Sequence, residues 1–166
     1  RARAAPRHAA DVGGSGDDAL LGAVAGNDLA DLQSFRTRTG ISPAPDPAWL
    51  LARGLKTLEA RVRRQTESAT AIAQRLAEHA KVVTVRYPGI SGLISFDVAD
   101  GDAARIVETS TQLIANATSL GGVTSVMESR HRWEGDRVPA GLLRLSIGLE
   151  DPDAIWGDLA QALNKL

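Results

Sequence analysis

The sequence predicts an α+β fold: a small, mostly antiparallel sheet covered by helices on one face. Two observations lead there. The second half of the chain runs strand, strand, helix, strand, strand, helix, with apolar spacing changing from 2 to about 3.6 residues. A long amphipathic helical pattern leads into it, enough apolar surface to cover such a sheet.

Residues 1–18 (RARAAPRHAADVGGSGDD) show neither period and read as a mobile tail or irregular lead-in. Ala19 to Ala25 is an apolar run long enough for a buried strand. Asn27 and Asp28 can cap a helix carrying Leu29, Leu32 and Phe35, which Gly40 and Ser42-Pro43-Ala44-Pro45 end. Asp46 is a good N-cap and Pro47 suits the first helical position. From there Leu50, Leu51, Leu55, Leu58, Val62, Ala69, Ile72, Ala73 and Leu76 form one stripe reaching about Ala80, with Gly54 a point of kinking or splitting.

Val82–Tyr87 reads as a strand and Pro88-Gly89 as a turn. Leu93–Val98 alternates, with Ile94, Phe96 and Val98 on one face and Leu93, Ser95 and Asp97 on the other. A helix from Asp102 to about Leu113 turns Ala103, Ile106, Val107 and Leu113 inward. Gly122–Met127 and Leu142–Ile147 are the remaining strands. Asp151-Pro152 opens a last helix with Ile155, Leu159 and Leu163 four apart.

Composition excludes several classes. The 166 residues are 43% apolar, so a core is expected. Lys plus Arg number 19 against 20 Asp plus Glu, a net charge of −1, which argues against nucleic acid as partner. No Cys is present, which removes disulfides, thiolate metal sites and a Cys nucleophile, and fits a cytoplasmic protein. The three His are far apart in sequence and form no metal-spaced cluster. No apolar run approaches the roughly 20 residues that cross a bilayer, so no membrane is expected.

Several strings taken together resemble the C-terminal part of the Cys/Met-metabolism enzymes that use pyridoxal phosphate, the cystathionine γ-synthase and γ-lyase family. They are Trp49-Leu50-Leu51, Arg53-Gly54-Leu55-Lys56-Thr57-Leu58, Tyr87-Pro88-Gly89, Ser119-Leu120-Gly121-Gly122-Val123 and Leu143-Arg144-Leu145-Ser146-Ile147-Gly148-Leu149-Glu150-Asp151. The run Arg130-His131-Arg132-Trp133-Glu134-Gly135-Asp136 is similar to an actinobacterial γ-lyase branch. The resemblance covers roughly residues 18–166. It implies residues 19–45 as the end of the large cofactor domain and 46–166 as the smaller C-terminal α+β domain of fold-type I enzymes.

The same resemblance supplies the expected site. Arg144 matches the arginine that takes the substrate carboxylate as a bidentate pair. Strand alternation places Leu143 and Leu145 on the face opposite it. Ser119 matches a residue that helps bind that carboxylate, and Gly121 and Gly122 allow tight backbone there. Thr118 stands where many relatives carry a Glu that influences which elimination occurs, so β versus γ preference stays open. No catalytic and no cofactor-binding residue is expected in the chain. The Schiff-base Lys position falls on Asp11, and no Lys precedes Lys56. Lys56, Lys81 and Lys165 match other family positions, and Gly13-Gly14-Ser15-Gly16 reads as linker rather than phosphate loop.

The expectation is therefore a truncated relative of sulfur amino-acid metabolism (transsulfuration) that does not bind pyridoxal phosphate alone and is inactive alone. Two alternatives stay open: an enzyme completed by a second chain carrying the cofactor domain, and an amino-acid-binding or interaction module. A family excursion of about twenty residues is replaced by Ile90 and Ser91. Its loss is expected to bare apolar surface, and the chain is expected to form homo-oligomers.

Overall fold

The computed structural model describes residues 7–10 and 21–166. The chain divides into two compact units, Arg1–Leu58 and Glu59–Leu166. The readings of Asp11, Gly13–Gly16 and the start of the 19–25 run lie outside the described residues.

In the first unit, β1 (Arg7–Ala10) pairs antiparallel with β2 (Gly22–Ala25). Sequence reading leaves 7–10 irregular because Arg-His-Ala-Ala carries no alternation; the ladder there comes from its partner. Helix α1 (Ala30–Thr39) follows, with Asp28 Oδ1 accepting from the Ala30 N–H at 3.2 Å. It ends at Gly40, whose φ of 69° suits glycine. Leu32 and Phe35 are exposed. Helix α2 (Pro45–Leu55) starts before the expected Asp46 cap: Ala44 is the extended N-cap and Pro45 takes the first position. Either proline fits the first turn, where the N–H has no partner. The long helix splits just past Gly54, and α3 (Leu58–Glu78) resumes the stripe.

The second unit continues with β3 (Thr84–Arg86), β4 (Leu93–Asp97), α4 (Gly101–Ser110), β5 (Ala115–Asn116), β6 (Val126–Ser129), α5 (His131–Glu134), a 3-10 turn at Gly135–Arg137, β7 (Leu142–Ser146) and α6 (Pro152–Leu163). The strands form one sheet in the order β3-β4-β7-β6-β5. Every pair is antiparallel except β5 with β6. The α+β architecture with a mostly antiparallel sheet is thus as the sequence predicts.

The register gives the sheet two unlike faces. Ile94, Leu145 and Met127 stand opposite one another across β4, β7 and β6 and are fully buried. They join one core with Ile72 and Leu76 of α3, Val107 of α4, and Ile155 and Leu159 of α6. Each such buried side chain stabilises the fold by roughly 1.5–3 kcal/mol. On the other face, Arg86, Ser95, Arg144 and Glu128 form a row across β3, β4, β7 and β6.

Several expectations are corrected. The third strand is not Gly122–Met127 but Val126–Ser129, because 122–124 are held in a loop. Helix α4 is capped by Asp100, whose Oδ1 accepts from the Ala103 N–H at 2.8 Å, and not by Asp102. Beginning earlier, it ends at Ser110 and leaves Ile106 and Leu113 outside the core, about 40% exposed. The Ile90-Ser91 connection closes as expected. Ser91 sits at φ 67° and donates its N–H to Thr66 Oγ1 at 2.9 Å, while Tyr87 Oη donates to Ser91 O at 2.9 Å. Beside it lies an open hollow of about 430 Å³ lined by Val62, Thr66 and Ile90 together with Glu59, Arg63 and Glu67.

Asp158 on α6 fixes the approach to β5. Its carboxylate accepts from the N–H groups of Gln112, Leu113 and Ile114 at 2.8–2.9 Å. Burial works to raise this carboxyl, but those three donors and Gln161 together hold it below the usual range. A depressed folded value means its stabilisation is present above the unfolded pKa of about 3.9 and is lost as pH falls through the folded one. Urea unfolding of Asp158→Asn is expected to show about 1–2 kcal/mol less stability at pH 7 and a shallower loss between about pH 5 and 3. Equal acid slopes in the two proteins would contradict this.

Candidate functional site

The polar face is organised by Glu128. On β6 its neighbours Met127 and Ser129 point to the core side, so Glu128 points the other way, directly opposite Arg144 on β7. The residue is fully buried. Its Oε1 accepts from Arg144 Nη2 at 2.6 Å and from Arg130 Nη1 at 2.5 Å. Its Oε2 accepts from Thr118 Oγ1 at 2.8 Å and Trp133 Nε1 at 3.1 Å. Four donors on two oxygens fill the capacity of an ionised carboxylate. A buried charge is tolerable only when it is paired and hydrogen-bonded in this way.

The two arginines on Glu128 differ. Arg130 is engaged on both sides, because Glu134 Oε1 also accepts from its Nε at 2.9 Å and its Nη2 at 2.7 Å. The Glu134 bond, working against burial and helped by Glu128, raises its pKa above the usual arginine value. Arg144 uses Nη2 alone among the described residues. Its side chain is only 18% exposed, yet its Nε and Nη1 are not sealed: the only buried side-chain polar atom without a partner among the described residues is Ser68 Oγ. One edge of Arg144 is thus pinned and the other reaches solvent. Arg86, in the same row, is closed by two bonds to Asp97 at 3.0 and 2.7 Å.

The loop before β6 is tied to the same place. Gly121, at φ 74°, donates its N–H to Ser146 Oγ at 2.8 Å, and Gly122 O accepts from Gln65 Nε2 at 2.6 Å. A side chain at 121 would be strained, which is the physical content of the Gly pair. Behind Glu128, the buried Glu108 of α4 accepts from the Ser129 N–H and from Arg105 Nη1 at 2.8 Å. Burial would raise its pKa; the Ser129 N–H, then Arg105 and Asn116, bring it below the ordinary value. Arg132 lies 3.8 Å from Glu108 and 3.9 Å from Glu128, stacked over Trp133 at 5.2 Å.

Of the residues singled out from sequence, Arg144 and Thr118 meet on the two oxygens of Glu128. Ser119 is half-buried, and its hydroxyl makes no hydrogen bond to a described residue. Glu128, Arg130 and Trp133 were not singled out. The strand reading stops at Met127, one residue short of Glu128, and the charged run 130–136 carries no period. The signal that finds Glu128 is register: once β6 pairs with β7, it is the residue opposite Arg144.

A family model of Cys/Met metabolism PLP-dependent enzymes matches residues 12–164. The chain belongs to this family. L-methionine gamma-lyase of Streptomyces avermitilis is 40% identical over 165 residues, which covers 92% of this chain and 39% of that relative. Cystathionine gamma-lyase of Saccharomyces cerevisiae is 35% identical over 181 residues, covering 89% and 46%. The crystal structure of metB from Corynebacterium glutamicum matches with a TM-score of 0.84 and 36% identity, over 93% of this chain and 47% of that one. The chain spans less than half the length of these relatives.

The family's cofactor is pyridoxal phosphate, and the described residues do not fit it. Lys56, Lys81 and Lys165 are all exposed. The hollow beside Ile90 is lined with apolar groups and with Glu59, Arg63 and Glu67, and Arg63 is paired with Glu59 at 3.0 Å, so it offers a phosphate no free donor set. What Arg144 offers chemically is a positioned cation with N–H groups open to an anion. Among the described residues no group of acidic or His side chains is placed to bind a metal, and no helix is long and apolar enough to cross a membrane.

Replacing Trp133 by Phe removes one donor to Glu128 and keeps the ring. A loss of about 1 kcal/mol in urea unfolding is expected; an unchanged midpoint would show that this bond contributes nothing.

Proposed function

We propose that this chain supplies the substrate-carboxylate site of a carbon–sulfur lyase or transferase acting on a sulfur amino acid. Arg144 takes the α-carboxylate. Ser119, with an unused hydroxyl, adds a donor from the loop, and Thr118 shapes the adjoining space. Residues 46–166 act as the C-terminal domain in this reading, and 19–45 as the end of the cofactor domain. The observation that carries it is the asymmetry of Arg144: a largely buried guanidinium held by one nitrogen, with the rest of its fork unpaired and open to solvent. A fixed planar fork is what bidentate capture of a carboxylate needs. Pre-orientation lowers the ordering cost of binding and sets the angle of the substrate's α-carbon.

The exposed lysines support a second element of the proposal. Acting alone, these residues hold the amino acid without turning it over, and the cofactor is held by residues other than those described. Titration calorimetry of the full chain with L-cystathionine, without cofactor, tests the reading. Saturable binding is expected, with Arg144→Ala losing it and Arg144→Lys weakening it at least ten-fold, since an ammonium cannot make the paired contact. Added pyridoxal phosphate is expected to give no yellow species that borohydride bleaches. Binding that survives in Arg144→Ala would overturn the site, and a bleachable yellow species would overturn the second element.

A further inference from the structure

The charges around Arg144 specify more than a cation. Two guanidinium groups, Arg130 and Arg144, contact Glu128, and Arg132 stands 3.9 Å from it. Glu134 is the other carboxylate in this group, on Arg130. Glu108 behind them is matched by Arg105. Three cations against two anions leave one net positive charge in the group, with Arg144 and Arg132 its least fully paired members.

Glu128 cannot leave to make room for more negative charge. Its four acceptor positions are filled by Arg144, Arg130, Thr118 and Trp133, from β7, the residue following β6, the preceding loop and α5. Turning it away would strand a buried carboxylate and take from the partly buried Arg144 its one protein partner among the described residues. Any anion that reaches Arg144 therefore sits close to a fixed, buried negative charge, well within the roughly 8–10 Å over which salt screens.

We propose that Glu128 is a specificity-determining residue. It pins one edge of Arg144, and its own buried charge restricts the anion received at the other edge to a monoanionic carboxylate, excluding dianions such as sulfate or a phosphate monoester. A carboxylate brings one negative charge and neutralises the site. A dianion leaves one charge uncompensated beside Glu128. The inference rests on the reading that Arg144 receives a carboxylate, and it adds the charge class that the site accepts and the residue that sets it.

The test is competition against L-cystathionine on the full chain, with acetate and sulfate as probes at constant ionic strength. The parent protein is expected to be displaced by acetate in preference to sulfate. In Glu128→Gln, the sulfate inhibition constant is expected to fall at least ten-fold relative to that of acetate. Glu134→Gln adds the same unit of charge from a side chain that is 35% exposed and does not touch Arg144. It is expected to shift the ratio the same way, at least three-fold, and it decides the matter if Glu128→Gln does not fold. An unchanged ratio in the folded variants, or a parent that already prefers sulfate, would overturn the inference and leave the carboxylate site standing. Loss of specificity for Arg144 itself, seen as equal L-cystathionine binding by Arg144→Ala, would instead remove the reading beneath it.

Discussion

A single ionised carboxylate, sealed from water, sets the geometry of the polar face of this protein. Glu128 is tolerable inside the fold only because four donors from four different segments converge on it. Each of those segments is thereby located. The loop at Thr118 is drawn to the sheet, the short helix α5 is folded back through Trp133, and Arg144 is held by one nitrogen. An apolar residue at 128 would leave Arg144 and Arg130 to find other partners. The open edge of Arg144 is a consequence of what Glu128 takes from it.

The placement depends on the two-faced sheet. Ile94, Leu145 and Met127 form a dry row against α3, α4 and α6, while Ser95, Arg144 and Glu128 form the row one residue out of phase. A slip of one residue between β6 and β7 would exchange the faces, burying Arg144 against leucines. The register is thus fixed by the core, and the core in turn aims the charged pair. Under the proposed function this polar row is the side that meets the substrate.

Much of this was legible in the sequence where one signal dominates. The alternation in Leu142–Ser146 places Arg144 against the solvent side without any structure, because Leu143 and Leu145 have only one apolar side to face. Helix α6 is announced by Asp151-Pro152, and Asp151 does accept from the N–H groups of Asp153 and Ala154. The rest was hidden for physical reasons. Asp100 and Asp102 are both good caps, and only the helix start separates them. Residues 122–124 have strand-like composition, yet Gly121 at positive φ and the buried Ser125, bonded to Glu150 and Gly148, hold them as a loop. Strand β5, two residues long, has no period to read. Glu128 lay beyond reach because its partner is sixteen residues away and pairs through sheet register alone.

One state of one guanidinium is central: Arg144 pinned at Nη2, with Nε bonded to no described residue and given, in the proposed function, to the amino acid. Nitrogen-15 NMR of the arginine Nε–H groups in the full chain measures that state directly, with Arg130 as the internal standard. Arg130 Nε–H, bonded to Glu134, should exchange slowly with water throughout. Arg144 Nε–H should exchange rapidly in the free protein and become protected on saturation with L-cystathionine. An Arg144 signal already as protected as that of Arg130, or one that saturation leaves unmoved, would contradict the account.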